Sequence, residues 1–218
     1  MESYPDHKTY RRLYRRFYEG RPAEKLIKIA GLVAGKNVLD LCGGDGRLSL
    51  VVVKLGAKSV CLIDRERAMV SNKARLHSKI KVFINTVESQ LEEFMERGRY
   101  FDCIFCQQAV NYWLNDNTAK LVADVLAEGG VFVFNTFNRK PPEKPMIKKY
   151  EIDGKKFLEV SWLVGDLVHH VQKREGLPCH ITSFRWLSPD YLADILDTYF
   201  SVTVKKDGNT SLYRCIRK

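Results

Sequence analysis

Residues 38–46 read Val38-Leu39-Asp40-Leu41-Cys42-Gly43-Gly44-Asp45-Gly46, an apolar strand that breaks into a glycine-rich turn. A helical pattern, Arg47 to Val53, follows at once, and Asp64 closes the next apolar run, Val60-Cys61-Leu62-Ile63. Strand, glycine turn, helix, strand and acid is the order in which an open parallel sheet holds a nucleoside-containing ligand. The glycines let the backbone approach the ligand, and the carboxylate takes two ribose hydroxyls. Gly43, Gly44 and Gly46 do not have the G-x-G-x-x-G spacing of a dinucleotide site, and no Lys-Ser or Lys-Thr follows the turn, which excludes a P-loop. Asp40, on the strand itself, suits a ligand carrying an ammonium better than one carrying phosphates.

Outward from this turn, apolar runs alternate with helical patterns. Strands are expected near 37–42, 59–64, 80–84, 101–106 and 130–135, and helices near 45–55, 66–77, 87–97 and 117–127. The alternation predicts an α/β architecture: a Rossmann-like, doubly wound parallel sheet with helices on both faces. Ahead of it, residues 8–18 read as an amphipathic helix, with Arg11/Arg15 and Arg12/Arg16 on its outer side, and a second helix runs from Ala23 to Leu32. The pattern changes after Asn138. Residues 139–145 form a loop, and three β-rich stretches follow: Lys156–Val164, Leu167–Lys173 and Cys179–Trp186. Gly165-Asp166 turns between the first two, so the segment reads as an antiparallel meander inserted after strand five. Ser188-Pro189 opens a helix to about Asp197. Strands near 200–206 and 211–217, joined as a hairpin at Asp207-Gly208, complete a seven-stranded sheet with an antiparallel last strand and give it an antiparallel edge.

The chain is 218 residues long and 45% hydrophobic, enough for one α/β domain with a modest addition. No run approaches the ~20 apolar residues of a membrane span, and the start resembles no signal peptide. A soluble, cytoplasmic protein without a membrane partner is expected. The six cysteines lie mostly inside apolar strand patterns and make no disulfide framework. Cys103 and Cys106 form a C-x-x-C on a strand, where positions three apart face opposite sides. No Cys/His cluster has metal-site spacing, so no metal is expected. The net charge of +10, from 36 basic and 26 acidic residues, admits nucleic acid or an acidic substrate as a partner. The basic residues are spread along the chain, which favours a solvated basic surface.

The glycine turn with Asp64, and Met69 five residues later, resembles the class I S-adenosylmethionine-dependent methyltransferases, whose first motif usually reads Leu-Asp-Leu-Gly-Cys-Gly-Thr-Gly. This chain has Cys42 where that pattern has its first glycine, and Gly43 where it has Cys. The resemblance covers essentially the whole chain. It is closest to small-molecule N- and O-methyltransferases of the glycine, sarcosine and aminosugar type, in which a meander after strand five covers the substrate pocket. It implies one domain over 1–218, with a helical lid (8–32), a cofactor core (37–138), a substrate cover (146–187) and a final helix and hairpin (188–218).

The same resemblance implies S-adenosyl-L-methionine as cofactor and assigns residues to it. Asp40, Cys42, Gly43, Gly44 and Gly46 form the turn. Asp64, with Arg65 beside it, holds the ribose, Met69 packs on adenine, and Val87 or Glu88 contacts the adenine amino group. Gln107 touches the methionine part, and Tyr14 or Tyr18 of the lid reaches the cofactor carboxylate. Both tyrosines also suit ordinary amphipathic packing. Gln108, Asn111 and Trp113 after strand four, and Arg185 on the meander, are candidate substrate contacts. Methyl transfer needs a neutral nucleophile aligned behind the methyl group, and a base where the nucleophile is an ammonium or hydroxyl. Candidates are His169 or His170, His180 and Tyr112. His169 and His170 are neighbours on a strand, so only one of them faces the pocket.

A small metabolite, methylated at nitrogen rather than oxygen, is the expected acceptor. DNA amino-methylating enzymes carry an Asp/Asn-Pro-Pro-aromatic motif where this chain has Gln107-Gln108-Ala109-Val110, which argues against that activity. An RNA methyltransferase (tRNA or cap) is the alternative, since the Arg-rich first helix could meet phosphates. A cofactor-binding module without catalysis is the other alternative. Oligomeric state is not legible.

Overall fold

The computed structural model describes residues 5–14 and 22–218. Five parallel strands form the expected sheet: β1 (Asn37–Leu41), β2 (Ser59–Asp64), β3 (Ile80–Ile84), β4 (Phe101–Gln107) and β5 (Leu126–Phe137). β10 (Phe200–Asp207) and β11 (Thr210–Arg217) complete seven strands, in the order β10-β11-β5-β4-β1-β2-β3. The last strand is antiparallel and the terminal hairpin forms that edge of the sheet, as expected. β11 lies between β5 and β10, because its apolar residues Leu212, Tyr213 and Cys215 are buried while β10 exposes most of its length.

Helices cover both faces, since the strands are apolar on each side. On one face α5 (Val87–Glu96), α6 (Asp116–Asp124) and α7 (Pro189–Asp197) pack Leu91, Phe94, Val122 and Leu192 against the strands. On the other, α2 (Pro22–Ala30), α3 (Arg47–Lys54) and the single-turn α4 (Asn72–Arg75) pack Leu26, Val52 and Ala74. Cys103 belongs to the second core and Cys106 to the first, so the C-x-x-C is split across the sheet.

Three expectations are corrected. The helix over 66–77 is broken into a 3-10 turn (Arg67–Met69) and α4, because Ser71 caps a new start by accepting the Ala74 N–H. Among the described residues of 8–32, α1 (His7–Leu13) lies over the strand ends, whereas α2 buries Ala23, Leu26 and Ile27 and belongs to the core. The meander has four strands: β6 (Met146–Ile152), β7 (Lys155–Val164), β8 (Leu167–Arg174) and β9 (His180–Arg185), paired antiparallel in that order. No helix among the described residues is long and apolar enough to cross a membrane.

Register settles which way the small sheet faces. Ser161, His170 and Thr182 form one cross-strand row, and Lys148, Glu159, Gln172 and His180 form the next. Gln172 Nε2 donates to the carbonyl of Leu13 in α1, so these rows face α1. Trp162, His169 and Ser183 form a row on the opposite face.

Candidate active site

β1 and β4 are adjacent, and the chain leaves them in opposite directions across the sheet. Ligands bind beyond the carboxyl ends at such a switch point. Both strand ends carry a left-handed residue that is not glycine: Cys42 after β1 and Gln108 after β4, each at φ 53°. Such a conformation costs an L-residue about 1–2 kcal/mol and concentrates at functional sites. Cys42 thus adopts the conformation that a glycine would supply. Contact with the Cys106 thiol, and burial, hold its thiol well above the ordinary cysteine range.

The turn is closed by backbone bonds, Gly43 N–H to Ile63 C=O (3.0 Å) and Gly46 N–H to Gly43 C=O (2.9 Å). A Cβ on Gly43 would lie 2.6 Å from Leu62 Cγ and 2.9 Å from Asp40 Oδ2, so only glycine fits there. Above Gly44 the space is open except for Met69 Cε, 3.8 Å from a built Cβ. Asp64, at the end of β2, is aimed at this opening. Its Oδ2 accepts the Gly44 N–H (2.8 Å) and its Oδ1 the Glu66 N–H (2.9 Å), while burial raises its carboxyl above the usual range.

Asp40 lies beneath the turn. One oxygen accepts the hydroxyl (2.6 Å) and N–H (3.2 Å) of Ser49 in α3, and the other, Oδ1, is buried without a partner. Burial pushes this carboxyl up to about 7. The sign follows from linkage: the folded state holds the proton from pH 4 to 7, where the unfolded chain has released it. Stability from this group is therefore fully present below pH 4 and is lost as pH rises through 7. Between pH 4.5 and 7.5 the ligand-free wild type should lose more of its Tm than Asp40→Asn, whose neutral amide keeps the shape. Parallel losses in the two proteins would rule out a protonated Asp40.

The turn, the orphaned Asp40 oxygen and the backbone-held Asp64 fit a cofactor with a ribose at one end and an ammonium near the other. Val87, at the start of α5, is buried near the β3 end, with Thr86 as N-cap. Two residues assigned to the cofactor have protein partners. Arg65 is exposed and pairs with Glu66 (3.7 Å), and Glu88 accepts from Asn117 of α6 (3.0 Å). Gln107 ends β4 opposite Asn135, whose side chain accepts the Gln108 N–H (3.0 Å).

α1 contacts both the glycine turn and the small sheet. Asp6 caps α1 through Lys8 N–H and Thr9 N–H. Arg11 pairs with Asp45 of the glycine turn (3.4 Å), and the Tyr14 hydroxyl meets His180 Nδ1 (2.7 Å). The Arg11–Asp45 contact, which no local sequence pattern signals, directs Arg11 to the protein's own turn. Tyr18, Arg15 and Arg16 lie outside the described residues.

Among the substrate and catalytic candidates, Gln108 follows β4, the Tyr112 hydroxyl is 3.1 Å from Thr182 Oγ1, and His180 lies on the same face of β9 as Thr182. Four others are corrected. His169 is on the far face of the small sheet, stacked on Trp162 and bonded to Ser183 (3.1 Å), because His170 takes the inward position. Arg185 shares that outward phase and pairs with Asp166 (3.2 Å). Trp113 turns into the core beside Phe132, its indole nitrogen buried without a partner. Asn111 is buried and fully engaged, accepting from Thr136 (2.7 Å) and donating to the Arg185 carbonyl (2.7 Å). His170, bonded to Ser161 (2.9 Å), is the inward one of the two neighbouring candidates; burial lowers it below the ordinary histidine range.

Known proteins are similar in the same regions. The methyltransferase domain family matches residues 38–130, from β1 into β5. A ubiquinone biosynthesis O-methyltransferase from Shewanella halifaxensis is 34% identical over 116 residues, covering 51% of this chain and 48% of that protein. Its counterpart from Acinetobacter baylyi is 26% identical over 200 residues, covering 83% of this chain and 81% of that protein. The chain thus spans about half the length of the Shewanella relative. Among solved structures, an S-adenosylmethionine-bound amino pentose methyltransferase from Micromonospora echinaspora superposes with a TM-score of 0.70 at 13% identity, over 94% of this chain and 97% of that one. A sugar N-methyltransferase from Streptoalloteichus gives 0.68 at 16% identity, over 94% and 92%. At such identities these two likenesses bear on the fold alone.

Proposed function

We propose, from the premise that the chain belongs to the class I S-adenosylmethionine-dependent methyltransferases, that it moves a methyl group to a nitrogen or oxygen of a small metabolite. The observation that carries this is the Asp64 carboxylate, held at the lip of the glycine turn by the Gly44 and Glu66 N–H groups. S-adenosylmethionine, when bound, supplies a methyl group on a sulfonium sulfur, activated for in-line displacement. Asp64 would hold the ribose, and Asp40 would face the ammonium through the oxygen that lacks a partner. Gln107 and Gln108, at the end of β4, suit the methionine part. The Tyr14–His180 pair closes the other side: the phenol orients the ring, and the imidazole takes the acceptor's proton. α1 and the small sheet would exclude water from the reacting atoms.

The test is transfer of labelled methyl from S-adenosylmethionine into a cell extract, split into low-mass, nuclease-sensitive and protein fractions. Label in the low-mass pool is expected. Label in the nuclease-sensitive pool would make the acceptor an RNA, a result that Arg11's pairing with Asp45 weighs against. Cofactor bound but no label in any fraction would leave a non-catalytic module.

A further inference from the structure

β5 is apolar from Val131 to Phe134 and then places two polar residues, Asn135 and Thr136, in the core. Buried polar groups are costly unless they are bonded, and both of these bond to the segment that follows β4. Neighbours on a strand face opposite sides of the sheet. Asn135 shares the phase of Val131 and Val133, which pack with α2, and Thr136 shares that of Phe132 and Phe134 on the other face. The two side chains therefore reach the same segment at different points.

Asn135 takes its start. Gln107 lies opposite Asn135 in register, and the next residue, Gln108, is left-handed at φ 53°. A residue with a side chain keeps that conformation only where its surroundings enforce it. The Asn135 side-chain oxygen does so by accepting the Gln108 N–H at 3.0 Å. Thr136 takes the other end, the 3-10 turn Val110–Tyr112. Its hydroxyl donates to Asn111 Oδ1 (2.7 Å), and Asn111 Nδ2 donates to the carbonyl of Arg185, the last residue of β9 (2.7 Å). The first link ends at the β1–β4 switch point, and the second at the strand that carries His180 and Thr182.

Resting on the methyltransferase reading, we infer that Asn135 and Thr136 are positioning residues with divided roles: Asn135 sets Gln107 and Gln108 for the cofactor, and Thr136, through Asn111, sets β9 for the acceptor. Without the Asn135 oxygen, Gln108 loses the bond that favours its left-handed backbone and relaxes toward the ordinary regions, which swings both glutamines. The binding-competent segment becomes a minority state, and apparent affinity falls with its population. Thr136 has no such leverage on Gln108. Loss of its hydroxyl leaves the buried Asn111 oxygen without that donor and loosens β9.

The test is titration calorimetry of S-adenosylhomocysteine with the full chain, paired with hydrogen exchange of the β9 amides. Asn135→Leu, close to asparagine in size, should weaken S-adenosylhomocysteine roughly five- to thirtyfold and leave β9 exchange unchanged. Asn135→Asp, which keeps an acceptor oxygen, should recover most of that loss. Thr136→Val should leave the affinity unchanged and quicken exchange in β9 by roughly two- to tenfold, the scale of one hydrogen bond. Thr136→Ser should restore slow exchange. In a Gln108→Gly background the left-handed backbone needs no support, so Asn135→Leu should cost less affinity there than in the wild type. Equal cost in both backgrounds would reduce Asn135 to core packing and overturn its role; should the leucine variants not fold, Asn135→Ala in the same two backgrounds decides. Unchanged affinity in Asn135→Leu, equal losses from the Asn135 and Thr136 changes, or unchanged β9 exchange in Thr136→Val would overturn the inference and leave the methyltransferase reading standing. Failure of S-adenosylhomocysteine to bind the wild type would overturn both.

Discussion

Asp64→Ala should weaken S-adenosylhomocysteine by about 1–3 kcal/mol, the scale of hydrogen bonds to a charged group, or roughly five- to 150-fold in Kd. The carboxylate is held from behind: Gly44 N–H fixes Oδ2 and Glu66 N–H fixes Oδ1, so the lone pairs that remain point away from the turn. Alanine removes the ribose contacts and frees two half-buried N–H groups that water can reach, so the Tm should move far less than the affinity. Asp64→Asn should lose a similar amount, because its amide NH2 would confront one of the two backbone donors. The wild-type affinity should also weaken on acidification. Burial raises the Asp64 carboxyl, and the protonated form presents a donor where acceptors are needed. Unchanged affinity in Asp64→Ala, read by titration calorimetry, would mean the nucleoside is held elsewhere.

The parts of this site that were legible in the sequence are those built from consecutive residues. The turn at Cys42–Gly46 and the acid at Asp64 lie within one strand–helix–strand unit, whose spacing is set by the geometry of the unit itself. Orientation across the meander was not legible. Whether His169 or His170 faces inward depends on the phase of β8 against β7 and β9, and both residues have the same side chain. Arg185 and Trp113 misled for a related reason: residues at strand ends serve packing as readily as binding, and their direction is set by neighbours distant in the chain. The edge strand β6 gave no alternation to read, because it exposes most of its residues on both faces. The Tyr14–His180 contact joins residues 166 apart, and nothing local to either residue announces it. The helix over 23–32 looked like lid because its amphipathic pattern fits any helix with one buried side; only its packing under β4, β5 and β11 distinguishes it.

Gly46→Ala should be the most destabilising single-methyl change in the turn. Gly46 is left-handed at φ +76°, and a built Cβ lies 2.4 Å from Ala74 Cβ and 3.2 Å from Leu62 Cδ1. Two costs add. The left-handed backbone disfavours an L-residue by about 1–2 kcal/mol, and overpacking a closed site costs typically about 1–3 kcal/mol. Neither can relax cheaply, since Ala74 is fully buried in α4, and Ser71 ties that segment to the turn by donating its hydroxyl to the Asp45 carbonyl (2.6 Å). Together they approach the lower end of the 5–15 kcal/mol, roughly, that holds a domain folded. The two costs can be separated. Ala74→Gly removes the steric partner and leaves the backbone cost, at a helix-propensity penalty of about 1 kcal/mol. In urea unfolding, the double variant Gly46→Ala/Ala74→Gly should therefore be less destabilised than the sum of the two single changes, by roughly the overpacking term. Simple additivity would show that the backbone angle alone makes Gly46 necessary. A stable Gly46→Ala protein would show that α4 can move away from the turn.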